Sequence, residues 1–170
     1  MITVGFDLDG VVSLLPFNWK QAMLTRNNEK VFWFLQRSWL LQRIYNFLIR
    51  KPNPEIKALM EELKEKGIRM VIVSASNEDY RKELEIWLIE NRFCYFEALI
   101  LKERFEEDCQ DYKARTVPIF CDYYLDDKKE IVQRINDSNN GRCRAILYRG
   151  QTKEELLREF LLLLKILKTV

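Results

Sequence analysis

Two aspartates separated by a single residue, Asp7 and Asp9, stand where the short apolar run from Ile2 to Phe6 stops at Asp-Leu-Asp-Gly. Carboxylates at that spacing point the same way if the chain stays extended across Leu8, because side chains alternate along a strand. Burying both charges without a cation between them is costly. A hard divalent ion relieves the cost. Magnesium suits such a place, since it takes a few carboxylates, keeps some waters and accepts phosphate oxygens. A second acidic pair, Asp126 and Asp127, ends another apolar run, and a third run, Met70 to Val73, ends in Ser74-Ala75. Asp127 is placed to complete the shell of an ion held by Asp7. Each cluster has a plainer reading: DLDG is a respectable turn, and Ser74 can simply end a strand. Their recurrence at three strand ends favours one shared site.

The elements needed to bring these ends together can be read from the pattern. Ile2 to Phe6, Ile68 to Val73, Ala98 to Leu101, a stretch within Ile119 to Leu125, and Ala145 to Tyr148 read as strands. Helices are expected over about 29–50, from Asn53-Pro54 to Gly67, over about 78–91, over about 128–136, and after Thr152, which with Glu155 forms a capping-box signature. Pro118 argues against a helix between Lys113 and the acidic pair. Strands alternating with helices predict right-handed crossovers and a parallel sheet covered on both faces. In such sheets the working groups gather at the carboxyl ends of the strands. The expected architecture is an α/β three-layer, Rossmann-like sandwich with a mostly parallel sheet of about five strands.

The chain has 170 residues, 28 of them Lys or Arg and 26 Asp or Glu, so it carries a formal charge of +2. With 48% hydrophobic residues, five Gly and four Pro, neither a disordered chain nor a turn-rich β-sandwich fits. The four cysteines are scattered and there is no histidine, which speaks against a structural zinc site and for a reducing, cytoplasmic setting. The N-terminus lacks a basic leader and is not expected to be a signal peptide. The greasy stretches 31–49 and 156–167 are interrupted by charges. They are expected as helices with a wide buried face rather than spanning segments, with peripheral membrane contact the weaker alternative.

The run Val4-Gly-Phe-Asp7-Leu-Asp9-Gly10-Val11-Val12 resembles the first motif of the haloacid dehalogenase (HAD) superfamily. Met70-Val-Ile-Val-Ser74 is similar to its second motif and Tyr123-Tyr-Leu-Asp126-Asp127 to its fourth. Lys113 is the candidate for the single basic residue of the third, with Lys102 as a rival. The resemblance implies a phosphatase working through an aspartyl-phosphate: Asp7 as nucleophile, Asp9 as general acid and base, Ser74 and Lys113 holding the phosphoryl oxygens. Gly10 and Ala75 would be substrate contacts of the same loops. It further implies magnesium bound by Asp7, the backbone carbonyl of Asp9 and Asp127, with Asp126 orienting a water.

Residues 13–52 would then be a small helical cap inserted into a core made of 1–12 and 53–170. That segment holds seven basic residues against Glu29 alone, and eight aromatics, among them Phe17 and Trp19 near the DxD loop. A positive cap attracts phosphorylated ligands. The expected substrate is a small phosphorylated metabolite such as a nucleotide or sugar phosphate, with Trp19 as a contact. Nucleic-acid ends, a homodimer through the cap aromatics, and a non-catalytic binding module are the alternatives.

Overall fold

The four residues of β1, Thr3–Phe6, are all buried, as a central strand of a parallel sheet requires. In this computed structural model, which describes residues 2–14, 50–103, 107–138 and 140–167, β1 lies in the middle of a five-stranded sheet. Its neighbours are β4 (Arg69–Asn77) on one side and β6 (Tyr123–Asp126) on the other, flanked by β5 (Ala98–Lys102) and β7 (Arg144–Leu147). Every pairing in this sheet is parallel. Two shorter strands, β2 (Ser13–Leu14) and β3 (Lys51–Pro52), pair antiparallel and bring the two ends of the segment 15–49 side by side. Trp19, Phe17 and all but the last residue of the helix expected over 29–50 lie outside the described residues.

Among the described residues five α-helices cover the sheet: α1 (Pro54–Glu65), α2 (Arg81–Glu90), α3 (Cys109–Phe120), α4 (Lys129–Ser138) and α5 (Lys153–Leu167). Alternation along β4 sorts the core into two halves. Met70 and Ile72 face a cluster built with Leu59, Leu63, Trp87, Leu156 and Phe160, whereas Val71 and Val73 face one built with Tyr112, Val117, Ile131 and Ile135. Helices α1, α2 and α5 therefore occupy one face and α3 and α4 the other, giving three layers. Truncating one of the fully buried leucines of α1 to alanine costs about 2–5 kcal/mol.

The helix boundaries follow from local chemistry. Asn53 caps α1 by accepting from the N–H of Glu55 (3.2 Å), and Pro54 occupies the first turn, where its missing N–H is harmless. The helix closes with the paired bonds Gly67 N–H to Lys64 O and Ile68 N–H to Leu63 O, Gly67 taking φ +71°. Thr152 and Glu155 cap α5 reciprocally, each side chain accepting from the other's backbone N–H (2.9 and 3.3 Å).

Two expectations are corrected. Pro118 sits inside α3, in its last turn, and does not prevent the helix. The strand expected within Ile119 to Leu125 is β6, which begins at Tyr123 after Ile119 and Phe120 have ended α3. Beyond Val73, β4 continues to Asn77 through a register slip against β5, and a single 3-10 turn, Glu78–Tyr80, precedes α2. Among the described residues no helix is long and apolar enough to cross a membrane.

Candidate active site

The order β5-β4-β1-β6-β7 reverses direction at β1 and β6, since the chain builds outward through β4 and β5 and then returns to the other side. Crevices for ligands form at the carboxyl ends of strands at such a reversal. Asp7 follows β1 directly, and Asp126 and Asp127 end β6 beside it, held in register by the pairing of Phe6 with Leu125 and by Asp7 N–H to Leu125 O (2.9 Å). Each of the three offers a carboxylate oxygen within 4.8 Å of the others'.

Lys113 enters this cluster from the opposite layer. Asp108 caps α3 by accepting from the N–H groups of Gln110 and Asp111. The buried stripe Tyr112, Lys113, Thr116 and Val117 then lies along the sheet. The Lys113 Nζ reaches Asp7 Oδ1 and Asp126 Oδ2, both at 2.7 Å, and lies 5.7 Å from the centre of the Tyr124 ring. Lys102, the rival, is wholly buried and its Nζ donates to the Glu107 carbonyl (2.8 Å). Asp126 is held further by the Lys128 N–H on Oδ1 (2.9 Å).

The electrostatics follow from burial. Loss of water pushes the Asp7 carboxyl up to about 8, and the charges of Asp126 and Asp127 add to that, while Lys113 pulls the other way. Burial also works against the Lys113 charge, but Asp126 and Asp7 outweigh it and its pKa goes up. The two shifts are compatible because one ammonium serves two carboxylates. Lys113 is doubly held; Asp7 has half a partner. With all groups ionised the cluster would carry a net charge of −2, which a dication balances. Three carboxylates on two adjacent strand ends thus form a donor set that fits a magnesium ion.

Gly10 shapes the same place. Its φ is +97°, and a Cβ there would stand 2.2 Å from Asp127 Oδ2, so the carboxylate lies directly against the bare Cα. A side chain at this position would be strained and would displace Asp127.

Asp9 departs from the expected geometry. The strand ends at Phe6, the chain turns through Leu8 to Val12, and Leu8 is buried in the first core. Asp9 and Asp7 consequently serve different partners. Arg50 grips the Asp9 carboxylate, with Nη2 at 2.7 Å from Oδ1 and 2.8 Å from Oδ2, and Nε at 3.0 Å from Oδ1. The Ser13 hydroxyl also donates to Oδ1, at 3.2 Å. Parallel side chains on an extended strand were the wrong picture.

Ser74 lies two residues past the pairing of Ile72 with Phe6, on the strand next to Asp7. Its hydroxyl is buried, donating to Ser76 Oγ and accepting from the Ser76 N–H, both at 3.1 Å. Ala75 follows, half-buried against the second core.

Two residues of this region were missed from sequence. Arg50 falls at the end of the helix expected over about 29–50, and nothing in its spacing of 41 positions from Asp9 marks it. Asn53 read only as a cap. Its amide also donates to the Val11 carbonyl (2.8 Å) and to Tyr148 Oη (2.9 Å), pinning the turn after Asp9 to α1 and to the end of β7. Its position before a proline is the available signal.

No family model and no curated protein matches the chain. Solved structures do. A chain of the Pnkp1/Rnl/Hen1 RNA repair complex is similar at TM-score 0.58 and 16% identity, over 86% of this chain and 42% of that one. This chain therefore spans less than half the length of that match. The HAD domain of the effector protein Lem4 from Legionella pneumophila is similar at TM-score 0.57 and 14% identity, over 94% of this chain and 92% of that one. A HAD family enzyme from Bacteroides thetaiotaomicron, in complex with magnesium and inorganic phosphate, gives TM-score 0.56 and 14% identity, over 92% and 98%.

Proposed function

We propose that this chain, which has the fold of the HAD-superfamily hydrolases, is a magnesium-dependent phosphomonoesterase that works through an aspartyl-phosphate on Asp7. The observation that carries the reading is the meeting of Asp7, Asp126, Asp127 and Lys113 at the sheet's point of reversal. Both donors to Asp7, the Leu8 N–H and Lys113 Nζ, fall on Oδ1. Among the described residues Oδ2 accepts no hydrogen bond, so it is the oxygen that attacks phosphorus.

As the new bond to Asp7 forms, the ester P–O bond breaks and Asp9 gives its proton to the leaving oxygen. Water then attacks the same phosphorus, its proton passes to Asp9, and the bond to Asp7 breaks to release phosphate. Lys113 offsets charge on the transferred group and fixes the Asp7 carboxylate. Ser74 would hold a phosphoryl oxygen by turning its hydroxyl from Ser76. Asp7 and Asp127, with the Asp9 backbone carbonyl, would hold magnesium, and Asp126 would stand behind them with Lys113. When bound, the ion polarises a phosphoryl oxygen and neutralises developing charge.

We infer a small phosphorylated metabolite as substrate, which the excess of basic residues in segment 15–49 would attract. Phosphate removal from nucleic-acid ends is a second reading, favoured by the basic residues and aromatics of that segment, and salt-dependent binding of oligonucleotides separates the two. The primary test is a panel of phosphate esters assayed with magnesium and with EDTA, beside Asp7→Asn. Hydrolysis that needs the metal and disappears in Asp7→Asn is expected; activity that survives both changes overturns the mechanism.

A further inference from the structure

We infer that Arg50 is a positioning residue that presents Asp9 for proton transfer, holding Oδ1 as a pivot and leaving Oδ2 as the oxygen that carries the proton. The inference rests on the reading of Asp9 as acid and base of a phosphomonoesterase. The contacts on the two oxygens are unequal. Oδ1 accepts from Arg50 Nε, Arg50 Nη2 and Ser13 Oγ, whereas Oδ2 accepts from Arg50 Nη2 alone among the described residues. Giving up one bond frees Oδ2, while Oδ1 keeps its anchors.

Arg50 is built into the core to do this. Its side chain is 1% exposed against 30% for that of Asp9. Its guanidinium lies 5.5 Å from the centre of the Trp87 ring, and its carbonyl accepts from Trp87 Nε1 (3.2 Å). Trp87 is itself stacked on Phe93 at 5.9 Å. A flat cation fixed on an aromatic face presents its donors in one direction, which a lysine cannot reproduce. Arg50 also immediately precedes β3, so the clamp on Asp9 is joined directly to the strand pair at the two ends of segment 15–49. Ser13, the second anchor of Oδ1, lies on β2 of that same pair. Both anchors of the pivot thus come from the neck of the insertion.

The test separates acid catalysis from mere support of the fold. An ester with a good leaving group, p-nitrophenyl phosphate, needs little protonation, whereas an alkyl phosphate needs much, and kcat/KM reports the step up to phosphoryl transfer. Arg50→Gln should lower the alkyl-to-nitrophenyl ratio of kcat/KM by about tenfold or more. Asp9→Asn should lower it at least as far, and the double variant no further than Asp9→Asn alone. Arg50→Lys, which keeps the buried charge and serves if the glutamine variant fails to fold, should give a ratio between those of wild type and Asp9→Asn. Equal loss on both esters, or a double variant whose ratio falls by the product of the single effects, overturns the positioning role and leaves the phosphatase reading standing. A wild-type chain that hydrolyses neither ester with magnesium present overturns both.

Discussion

Magnesium affinity should depend on pH with a slope set by Asp7. Burial, aided by Asp126 and Asp127, pushes that carboxyl up to about 8 in the metal-free chain. The ion requires the ionised form, so below that value each ion bound displaces a proton. At pH 8 about half of the Asp7 carboxyls are ionised and at pH 6 about one in a hundred. Apparent affinity should therefore rise about fifty-fold from pH 6 to pH 8, or about 2 kcal/mol, and level off above. The sign reverses for the metal-free fold. Between the ordinary value of 3.8 and about 8 the native chain keeps a proton that the unfolded chain has released. Stability from this group is thus full below the lower value and falls as pH rises through the window, by at most about 1.4 kcal/mol per unit. Calorimetric titration with magnesium at pH 6, 7 and 8, in buffers of different protonation enthalpy, reads affinity and protons together. Thermal unfolding with and without the ion reads stability. Affinity that stays constant from pH 6 to 8, or an unfolding temperature indifferent to magnesium at pH 8, would refute the reasoning, and Asp7→Asn should abolish the slope.

Removing the shared cation should be severe: Lys113→Met leaves Asp7 and Asp126 buried without their ammonium, costing about 3–5 kcal/mol by urea unfolding at pH 8, with part regained at lower pH. Gly10→Ala should destabilise by about 1–3 kcal/mol through its positive φ, and it should blunt the thermal response to magnesium by displacing Asp127. Asn53→Ala strips a helix cap and the donor to both Val11 and Tyr148, and should lower stability by about 2 kcal/mol while leaving the magnesium response in place.

What the sequence revealed and what it hid divide along one physical line. Short-range signals sufficed for the layered fold: apolar runs stopping at acidic or hydroxyl residues, Asn53-Pro54 and Thr152 with Glu155 as caps, Gly67 as a helix end. They also sufficed to expect Asp7 and Asp127 at one place, because parallel strands align their carboxyl ends. Directions set by tertiary contact were hidden. Asp9 looks like the strand companion of Asp7, yet it is held by Arg50, a residue 41 positions away that packs on Trp87. Pro118 looks like a helix breaker, yet α3 runs through it and stops two residues later, so the bond it removes falls where the helix is already ending. The choice of Lys113 over Lys102 depended on which helix face lay along the sheet, and position in the chain carries no such information.

The pairing of β2 with β3 carries a further implication about how this protein can change. Residues 14 and 51 are neighbours across a two-stranded ladder, so the 36 residues between them leave and rejoin the core at one place. Lengthening such a loop from about four residues to that size adds only about 2 kcal/mol of closure entropy. The layered fold can therefore tolerate exchange of that passenger for shorter or unrelated ones at little cost.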